Sequence, residues 1–288
     1  MVKQDEFLWV EKYRPQNIED CILPDSIKST FKEFIAAGDM PNLLLSGTAG
    51  TGKTTIAKAL CNELGYTSLV VNGSLDRNID TLRNEIASFA STVSFDGGKK
   101  CIILDEADYL TPQSFQPALR GFIETFSKNV RFILTCNFKD KIIEPIHSRT
   151  TLIDFRTGKK EMPEIMGVLM KRILNILKEE TVKVEDPKIV AEVIKKHYPD
   201  IRRILNEMQR YSAGGVIDIG ILANVGETDV TSLMKYLKDR DFGKMRQWVV
   251  ENIDADPVRI FRTIYDNMHD YLAPSSIPQI VLLIGEYQ

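Results

Sequence analysis

Short apolar runs alternate with longer segments of helical period over the first 155 residues of the chain. This alternation is typical of a parallel sheet with helices on both faces, so the predicted fold class is α/β. Residues 54–64 and 79–90 each place their apolar side chains on one stripe and are predicted to be crossover helices. The five predicted parallel strands are residues 42–46, 68–72, 101–105, 130–135 and 151–155.

The pattern changes after residue 155, where the strand signals largely stop. Helices predicted over residues 161–180, 187–197, 201–213 and 217–225 would form a small all-helical domain. After the polar break at residues 226–228, four more helices are predicted over residues 230–238, 242–252, 257–271 and 275–287. The pattern therefore predicts three domains, over residues 1–156, 157–226 and 227–288.

Composition narrows the class of protein. The 288 residues are 43% hydrophobic and 27% charged, which is typical of a globular protein with two or three domains. The longest apolar run is far short of the roughly 20 residues of a membrane helix, and the N-terminus lacks the apolar core of a secretory signal. A cytosolic protein with no membrane partner is therefore expected. The net charge of -3 gives no overall attraction to nucleic acid, so any such contact must come from a local patch.

Four cysteines are single and widely spaced, which matches neither a zinc site nor a disulfide framework. We expect Cys21, Cys61, Cys101 and Cys136 to be buried thiols that stay reduced.

The strongest chemical signal is a G-x-x-x-x-G-K-T segment that starts at Gly47, directly after an apolar run, and leads into a predicted helix. Its glycines let the backbone wrap a phosphate, so that amide groups and the helix N-terminus face the negative charge. Lys53 is expected to contact the β- and γ-phosphates of a nucleotide, and the Thr54 hydroxyl to bind Mg²⁺. The predicted nucleotide-binding residues of this P-loop are Gly47, Gly50, Thr51, Gly52, Lys53, Thr54 and Thr55.

Polar residues follow two of the predicted strands. Asp105 and Glu106 end one strand, at the sheet edge where ligands bind in open α/β folds. Asp105 is expected to bind Mg²⁺ directly or through water, and Glu106 to orient and polarise the attacking water. Asn137 ends another strand and either holds that water or senses the γ-phosphate, although a simple turn residue remains an equal alternative.

Arginines at two places are candidates for stabilising phosphate charge. Arg149 precedes the last predicted strand, and Arg202 and Arg203 open a helix for which Asp200 is the predicted N-cap. A guanidinium group suits this task because it is planar, always charged and rich in donors. For each arginine taken alone, a surface ion pair is the alternative.

These features together resemble an AAA+ ATPase. Residues 8–15, L-W-V-E-K-Y-R-P, resemble the box that precedes the P-loop in subunits of the sliding-clamp loader replication factor C, and residues 72–83 and 116–120 resemble two other segments of that family. Further phrases resemble the large subunit of the T-even-type phage clamp loader, at residues 18–24, 94–97, 197–203 and 211–218. The resemblance covers nearly the whole chain.

The resemblance implies an AAA+ ATPase domain over residues 1–156, a helical lid over 157–226 and a helical collar over 227–288. In this family the collar assembles the subunits into a ring, a pentamer by resemblance, which opens a sliding clamp on primer-template DNA during DNA replication. The implied cofactors are ATP and Mg²⁺, and the implied location is the cytoplasm, that of the host if the protein comes from a phage. A further collar segment is expected beyond Gln288, so the chain is either truncated or a shorter homologue.

The resemblance also implies residue roles. Arg202 would be the lid arginine on the bound nucleotide, with Arg203 as the fallback, and Arg149 would reach the γ-phosphate of the neighbouring subunit. Two departures leave these roles intact: residue 150 is Thr where the family has Cys, and residues 48–49 are Thr-Ala where it has a proline. The residues implied to lie near the adenine are Lys12, Tyr13, Arg14 and Pro15.

DNA contacts are predicted after the second strand. Arg77 and Arg83 are six residues apart, which is about 1.7 turns if both lie on one helix. Thr111, directly before Pro112, is predicted to cap the next helix and aim its amide groups at a DNA phosphate. The alternative is that both arginines are solvated surface charges.

Three functions fit these signals. The first is an ATP-hydrolysing clamp-loader motor subunit. The second is a scaffold subunit that binds nucleotide for structure alone, which the water-orienting Glu106 argues against. The third is another AAA+ DNA motor such as a branch-migration helicase, which would share the P-loop but not the box at residues 8–15.

Overall fold

The computed structural model describes residues 7–74, 79–92, 98–158, 160–218, 230–252 and 257–287. The chain forms two compact units, Met1–Ile219 and Gly220–Gln288. The first unit contains the sheet and the candidate site.

A five-stranded parallel sheet with the strand order β2-β3-β4-β1-β5 lies at the centre of the first unit. The α/β prediction is confirmed, and each predicted strand matches an observed one to within one residue at either end. The strands are β1 (Leu43–Ser46), β2 (Thr67–Asn72), β3 (Lys100–Asp105), β4 (Val130–Cys136) and β5 (Thr151–Asp154).

Helices connect and cover these strands. The two predicted crossover helices are present as α3 and α4. The helices of this part are α1 (Trp9–Lys12), α2 (Asp25–Ala37), α3 (Lys53–Glu63), α4 (Ile79–Ser91), α5 (Phe115–Thr125) and α6 (Glu144–His147).

Successive strand residues point to opposite sides of the sheet, and those of the central strands are buried on both sides. Leu43 and Leu45 pack on one side with Phe31 of α2 and Leu60 of α3. Leu44 packs on the other side, in a second apolar cluster to which α4 and α5 contribute. The central strands β1, β3 and β4 are thus covered on both faces, whereas the edge strands β2 and β5 are partly exposed.

The strand register brings the functional strand ends together. The last residue of β1, Ser46, pairs with Cys136 of β4 on one side and with Asp154 of β5 on the other. The carboxyl end of β3 lies next to β4, where the ladder runs to the pair Leu104 and Leu134. The P-loop, Asp105 and Asn137 therefore meet at one edge of the sheet.

The remaining part of the first unit is mainly helical, with α7 (Met162–Glu179), α8 (Pro187–His197) and α9 (Ile201–Tyr211). The helix predicted over residues 217–225 is wrong at its start. Val216–Ile217 is instead a short strand, β7, which pairs in parallel with β6 (Lys183–Val184). A two-residue strand is too short to give a periodic signal, and residues 219–225 lie outside the described residues.

The second unit contains helices α10 (Val230–Lys238), α11 (Phe242–Glu251), α12 (Pro257–Tyr271) and α13 (Ile277–Tyr287). Leu233, Met234 and Trp248 form its buried core. Within the described residues of both units, none of the helices is both long and apolar enough to cross a membrane. The four cysteines are buried free thiols, which confirms that expectation.

Candidate nucleotide-binding site

A cleft opens at the carboxyl edge of the sheet, between the P-loop and the start of α9. It gathers most of the sequence-predicted site residues. Those that line it are Tyr13, Arg14, Pro15, Gly50, Thr51, Gly52, Lys53, Thr54, Thr55, Asp105, Glu106, Asn137 and Arg202.

The P-loop glycines are needed for two separate reasons. Gly50 and Gly52 have φ angles of 74° and 87°, in the left-handed region that L side chains avoid. Gly47 has no such φ, but a Cβ there would lie 2.8 Å from the Phe155 Cβ. Gly52 directly precedes α3, so the amide groups of the first turn face the loop.

Lys53 is buried, with only 8% of its surface exposed. Its Nζ donates to the carbonyl oxygens of Gly47 and Thr48 at 2.8 Å each and to Asn137 Oδ1 at 2.9 Å. Burial lowers the pKa of this ammonium group, while nearby negative groups, among them Asp105, act to raise it. These three acceptors hold the charged group in the loop, where a phosphate can contact it.

The Thr54 hydroxyl and the Asp105 carboxylate, two oxygen ligands suited to Mg²⁺, lie side by side. Asp105 Oδ1 accepts hydrogen bonds from Thr54 Oγ1 and from Thr135 Oγ1, at 2.6 Å each. The described residues include no cluster of three or more His, Cys, Asp or Glu suited to a metal. Mg²⁺ commonly uses one or two carboxylates together with substrate phosphates and waters, so this pair fits that ion.

Glu106 lies just beyond the end of β3 in an unusual backbone conformation. Its φ of 56° is in the left-handed region, which costs a non-glycine residue about 1–2 kcal/mol. Its amide donates to Thr135 Oγ1 at 3.1 Å. Thr135 therefore contacts both acidic residues, through the Asp105 carboxylate and the Glu106 backbone, and the strained turn directs Glu106 to the cleft.

The lid helix α9 closes one side of the cleft. Asp200 caps it by accepting from the Arg203 amide at 2.9 Å, which confirms the predicted N-cap. The Ile201 amide donates to the Gly50 carbonyl at 3.0 Å, so the start of α9 rests on the P-loop. Arg202 is exposed and lines the cleft, whereas Arg203 is not among the lining residues.

The N-terminal segment lies between the cleft and the lid. Tyr13 Oη donates to Glu180 Oε1 at 2.6 Å, and burial together with that contact raises the pKa of Tyr13. Lys12 Nζ also contacts Glu180 Oε1, at 2.7 Å, and does not line the cleft. Arg14 Nη1 donates to Thr55 Oγ1 at 3.1 Å. The segment therefore bridges the lid and the helix that follows the P-loop.

Arg149 lies away from this cleft. Its Nε donates to Glu124 Oε1 at 2.8 Å and its Nη1 to the Pro145 carbonyl at 2.7 Å. It lines a different surface hollow, together with Asn42 and Arg131. The structure thus separates Arg149 from the nucleotide cleft of its own chain.

The predicted DNA-contact residues have three different outcomes. Arg77 lies outside the described residues. Arg83 Nη2 donates to the Ser114 carbonyl at 3.2 Å, so its guanidinium contacts the protein itself. The prediction that Thr111 caps the next helix is wrong: α5 begins at Phe115, and the Thr111 carbonyl instead accepts backbone hydrogen bonds from residues 114–116 in a turn.

Several residues of the site were not predicted from the sequence. Glu180 and Thr135 act through contacts between distant parts of the chain, which no local pattern signals. Val10, Ile22 and Leu205 supply an apolar wall of the cleft. A pocket with an apolar wall and a few convergent polar groups is typical of small-molecule sites.

The comparisons with known proteins agree with this geometry. Residues 43–157 match the ATPase family associated with various cellular activities, and residues 160–223 match the sliding-clamp-loader large subunit, AAA+ ATPase lid domain. The chain is 36% identical to the sliding-clamp-loader large subunit of Enterobacteria phage T4, over 99% of this chain and 90% of that protein. It is also 36% identical to the corresponding subunit of Escherichia phage RB69 over the same shares.

Other matches cover a smaller share of the chain. The replication factor C small subunit of Sulfolobus acidocaldarius is 40% identical over 75% of this chain and 66% of that protein. A solved structure of Thermotoga maritima RuvB matches with a TM-score of 0.58 and 18% identity over 78% of each chain, which shows the fold alone. With a P-loop, an acidic strand end and a lid arginine at one cleft, the chain belongs to the sliding-clamp-loader large-subunit family of AAA+ ATPases.

Proposed function

We propose that this chain is the motor subunit of a clamp loader, in which ATP binding closes a ring around primer-template DNA and hydrolysis releases the sliding clamp. The observation that carries the proposal is the joint presence of Lys53, Asp105, Glu106 and Asn137 in one cleft closed by a lid arginine. Binding of a nucleotide alone would require only Lys53 and the lid. An acid such as Glu106 beside the phosphate-binding residues is required when water attacks the γ-phosphate.

Lys53 and Arg202 would bind the triphosphate, and Thr54 and Asp105 would hold Mg²⁺. The metal ion would neutralise charge on the β- and γ-phosphate oxygens. Glu106 would orient the attacking water and accept its proton, and Asn137 would fix the position of the γ-phosphate or of that water. Tyr13 and Pro15 would lie near the adenine, next to the apolar wall of the cleft.

Arg149 would act on the nucleotide of a neighbouring subunit, because it does not reach the cleft of its own chain. Arginines supplied in this way raise the rate of phosphoryl transfer by about 10³- to 10⁵-fold. Mixing Arg149→Ala subunits with Glu106→Gln subunits should restore activity. Where the two kinds are neighbours, some sites would combine an intact Glu106 from one subunit with an intact Arg149 from the other. Absence of recovery at every mixing ratio would count against a shared site.

Assembly into a ring, a pentamer by resemblance, has support in the second unit. Helix α13 exposes apolar side chains at Val281, Leu282 and Leu283, with Leu282 75% exposed. Contiguous exposed apolar residues mark surfaces that bind other proteins. The proposed partners are other clamp-loader subunits, the sliding clamp and DNA, and the proposed place of action is the cytoplasm, that of the host for a phage protein.

DNA binding is proposed from fewer observations than ATP hydrolysis is. Arg83 contacts Ser114, which places it beside the turn that begins at Thr111. Contacts from this surface would reach the phosphate backbone, so binding would be insensitive to sequence and would weaken with salt. Replacing Arg77 and Arg83 by alanine should lower DNA-stimulated hydrolysis and leave the basal rate unchanged. Unchanged stimulation at moderate salt would show that this surface does not face DNA.

The deciding experiment compares ATP hydrolysis with and without primer-template DNA and the clamp. A motor subunit should hydrolyse ATP faster when both are added. A scaffold subunit would bind ATP with no turnover under any condition, which is the competing outcome. Glu106→Gln is the matched control, because it preserves the size of the side chain and removes the proposed base.

A further inference from the structure

Asp108 is a buried carboxylate with no role in the chemistry described so far. It lies in the short turn Ala107–Tyr109, two residues after Glu106, and is only 6% exposed. Its Oδ2 accepts hydrogen bonds from the backbone amides of Asn137 and Phe138, at 3.2 Å each. Its Oδ1 is buried and has no hydrogen-bond partner among the described residues.

Burying a carboxylate is costly unless its oxygens are fully hydrogen-bonded. Half of the Asp108 carboxylate meets that condition and half does not. A chain selected for stability alone gains little from such a group at this place. The cost indicates that the contact to the backbone of Asn137 serves the site.

The contact lies just beyond the end of β4, whose ladder with β1 ends at the pair Ser46 and Cys136. The ladder between β3 and β4 ends at the pair Leu104 and Leu134, so residue 137 lies beyond its last rung. Beyond the last rung, the hydrogen bonds to Asp108 connect the turn after β3 to the loop after β4. Asn137 then accepts from Lys53 Nζ through its side chain, at 2.9 Å.

We propose that Asp108 is a positioning residue for ATP hydrolysis, which holds the Asn137 side chain against the phosphate end of the cleft. This inference rests on the proposed function, in which Asn137 acts on the γ-phosphate or the attacking water. Asp108 itself does not line the cleft. Its loss should therefore lower turnover through Asn137 and leave nucleotide affinity nearly unchanged.

Two substitutions separate the parts of the Asp108 contact. Asp108→Ala removes the acceptor, so kcat should fall about 10- to 100-fold, the range found when a hydrogen-bond partner behind a metal-binding residue is removed. Asp108→Asn keeps one oxygen that can accept from both amides and should retain most of the turnover. Asp140→Ala is the matched control, because Asp140 is an exposed acid in the segment after β4 that also contains Asn137, and its loss should leave kcat unchanged.

A purely structural role would give a different pattern, and a double-mutant cycle with Asn137→Ala detects it. If Asp108 acts through Asn137, then Asp108→Ala should cause no further loss of kcat in the Asn137→Ala protein. The dissociation constant for a non-hydrolysable ATP analogue should stay within about threefold of the parent. If Asp108→Ala does not fold, Asp108→Ser replaces it in the same cycle, because its shorter side chain cannot reach both amides.

The outcomes distinguish this inference from the proposed function. Additive losses in the cycle, or a loss of analogue binding equal to the loss of kcat, would overturn the role of Asp108 alone. A Glu106→Gln protein that hydrolyses ATP at the parent rate would overturn the proposed function, and the role of Asp108 with it. Non-additive losses with unchanged analogue binding would support both.

Discussion

Gly50 offers a direct test of how the lid rests on the P-loop. A Cβ at this position would lie 1.8 Å from Asp200 Oδ1 and 3.1 Å from Asp200 Cα. Gly50→Ala must therefore displace the residue that caps α9 and separate the Ile201 amide from the Gly50 carbonyl. The left-handed φ of 74° adds a backbone cost of its own.

The expected loss can be worked out by comparison with Gly65. Gly65 has a similar φ of 65°, but a Cβ there would meet nothing within 4 Å, so Gly65→Ala carries only the left-handed cost of about 1–2 kcal/mol. Gly50→Ala adds about 1 kcal/mol for the lost N-cap and about 1 kcal/mol for the lost backbone hydrogen bond. The free energy of unfolding should thus fall by about 2 kcal/mol more in Gly50→Ala than in Gly65→Ala.

Urea unfolding followed by Trp9 fluorescence measures this difference. The chain has two tryptophans, so a Trp248→Phe background leaves Trp9 as the sole reporter of the first unit. ATP affinity should also fall in Gly50→Ala, because displacement of α9 moves Arg202. Equal stability and equal ATP affinity in the Gly50→Ala and Gly65→Ala proteins would refute the reasoning.

Three further predictions follow from named contacts. Lys53→Ala should abolish ATP binding, whereas Glu106→Gln should preserve binding and remove turnover, as equilibrium binding and steady-state assays would show. Although burial acts to raise the pKa of Asp39, hydrogen bonds from a lysine, a tyrosine and an arginine hold that pKa well below the usual value of about 3.9. Its stabilisation is therefore complete above about pH 4 and is lost as the pH falls towards the folded-state pKa, so Asp39→Asn should flatten the acid limb of a thermal-stability profile. Glu180→Ala should cost under about 1 kcal/mol of unfolding free energy through its partly exposed ion pair with Lys12, yet weaken ATP binding measurably by calorimetry.

Short, continuous apolar runs made the sheet predictable from the sequence. Residues such as Leu43–Ser46 are buried on both faces, and a strand of this kind gives a nearly continuous apolar run in the sequence. The P-loop and the acidic strand end could also be predicted from the sequence. Each directly follows a predicted parallel strand, and the carboxyl ends of such strands lie at one edge of the sheet. The local sequence was therefore sufficient to predict both the strands and these two motifs.

Contacts between distant segments were not predictable in the same way. Glu180 contacts Tyr13 over a separation of 167 residues, and nothing near either residue specifies the other.

The error at Thr111 has a different cause. A Thr-Pro pair is a good helix start by local rules, but here the Thr111 carbonyl closes a turn with residues 114–116, and the helix begins only at Phe115. Local capping signals identify candidates, and the following backbone hydrogen bonds decide between them.

The energies of the lid contacts bear on how nucleotide could control this chain. The lid contacts the P-loop through the Ile201 amide. It contacts the N-terminal segment through Glu180, Gln209 and Arg172. A backbone hydrogen bond contributes about 1 kcal/mol and an exposed ion pair less, so each of these polar contacts is weak when taken singly. A hydrogen bond between a charged side chain and a phosphate contributes about 1.5–3 kcal/mol. A triphosphate held by both Lys53 and Arg202 would therefore join the P-loop to the lid by a contact stronger than any one of these polar contacts, and a ligand shifts an equilibrium only by such a difference in its contacts between the two states.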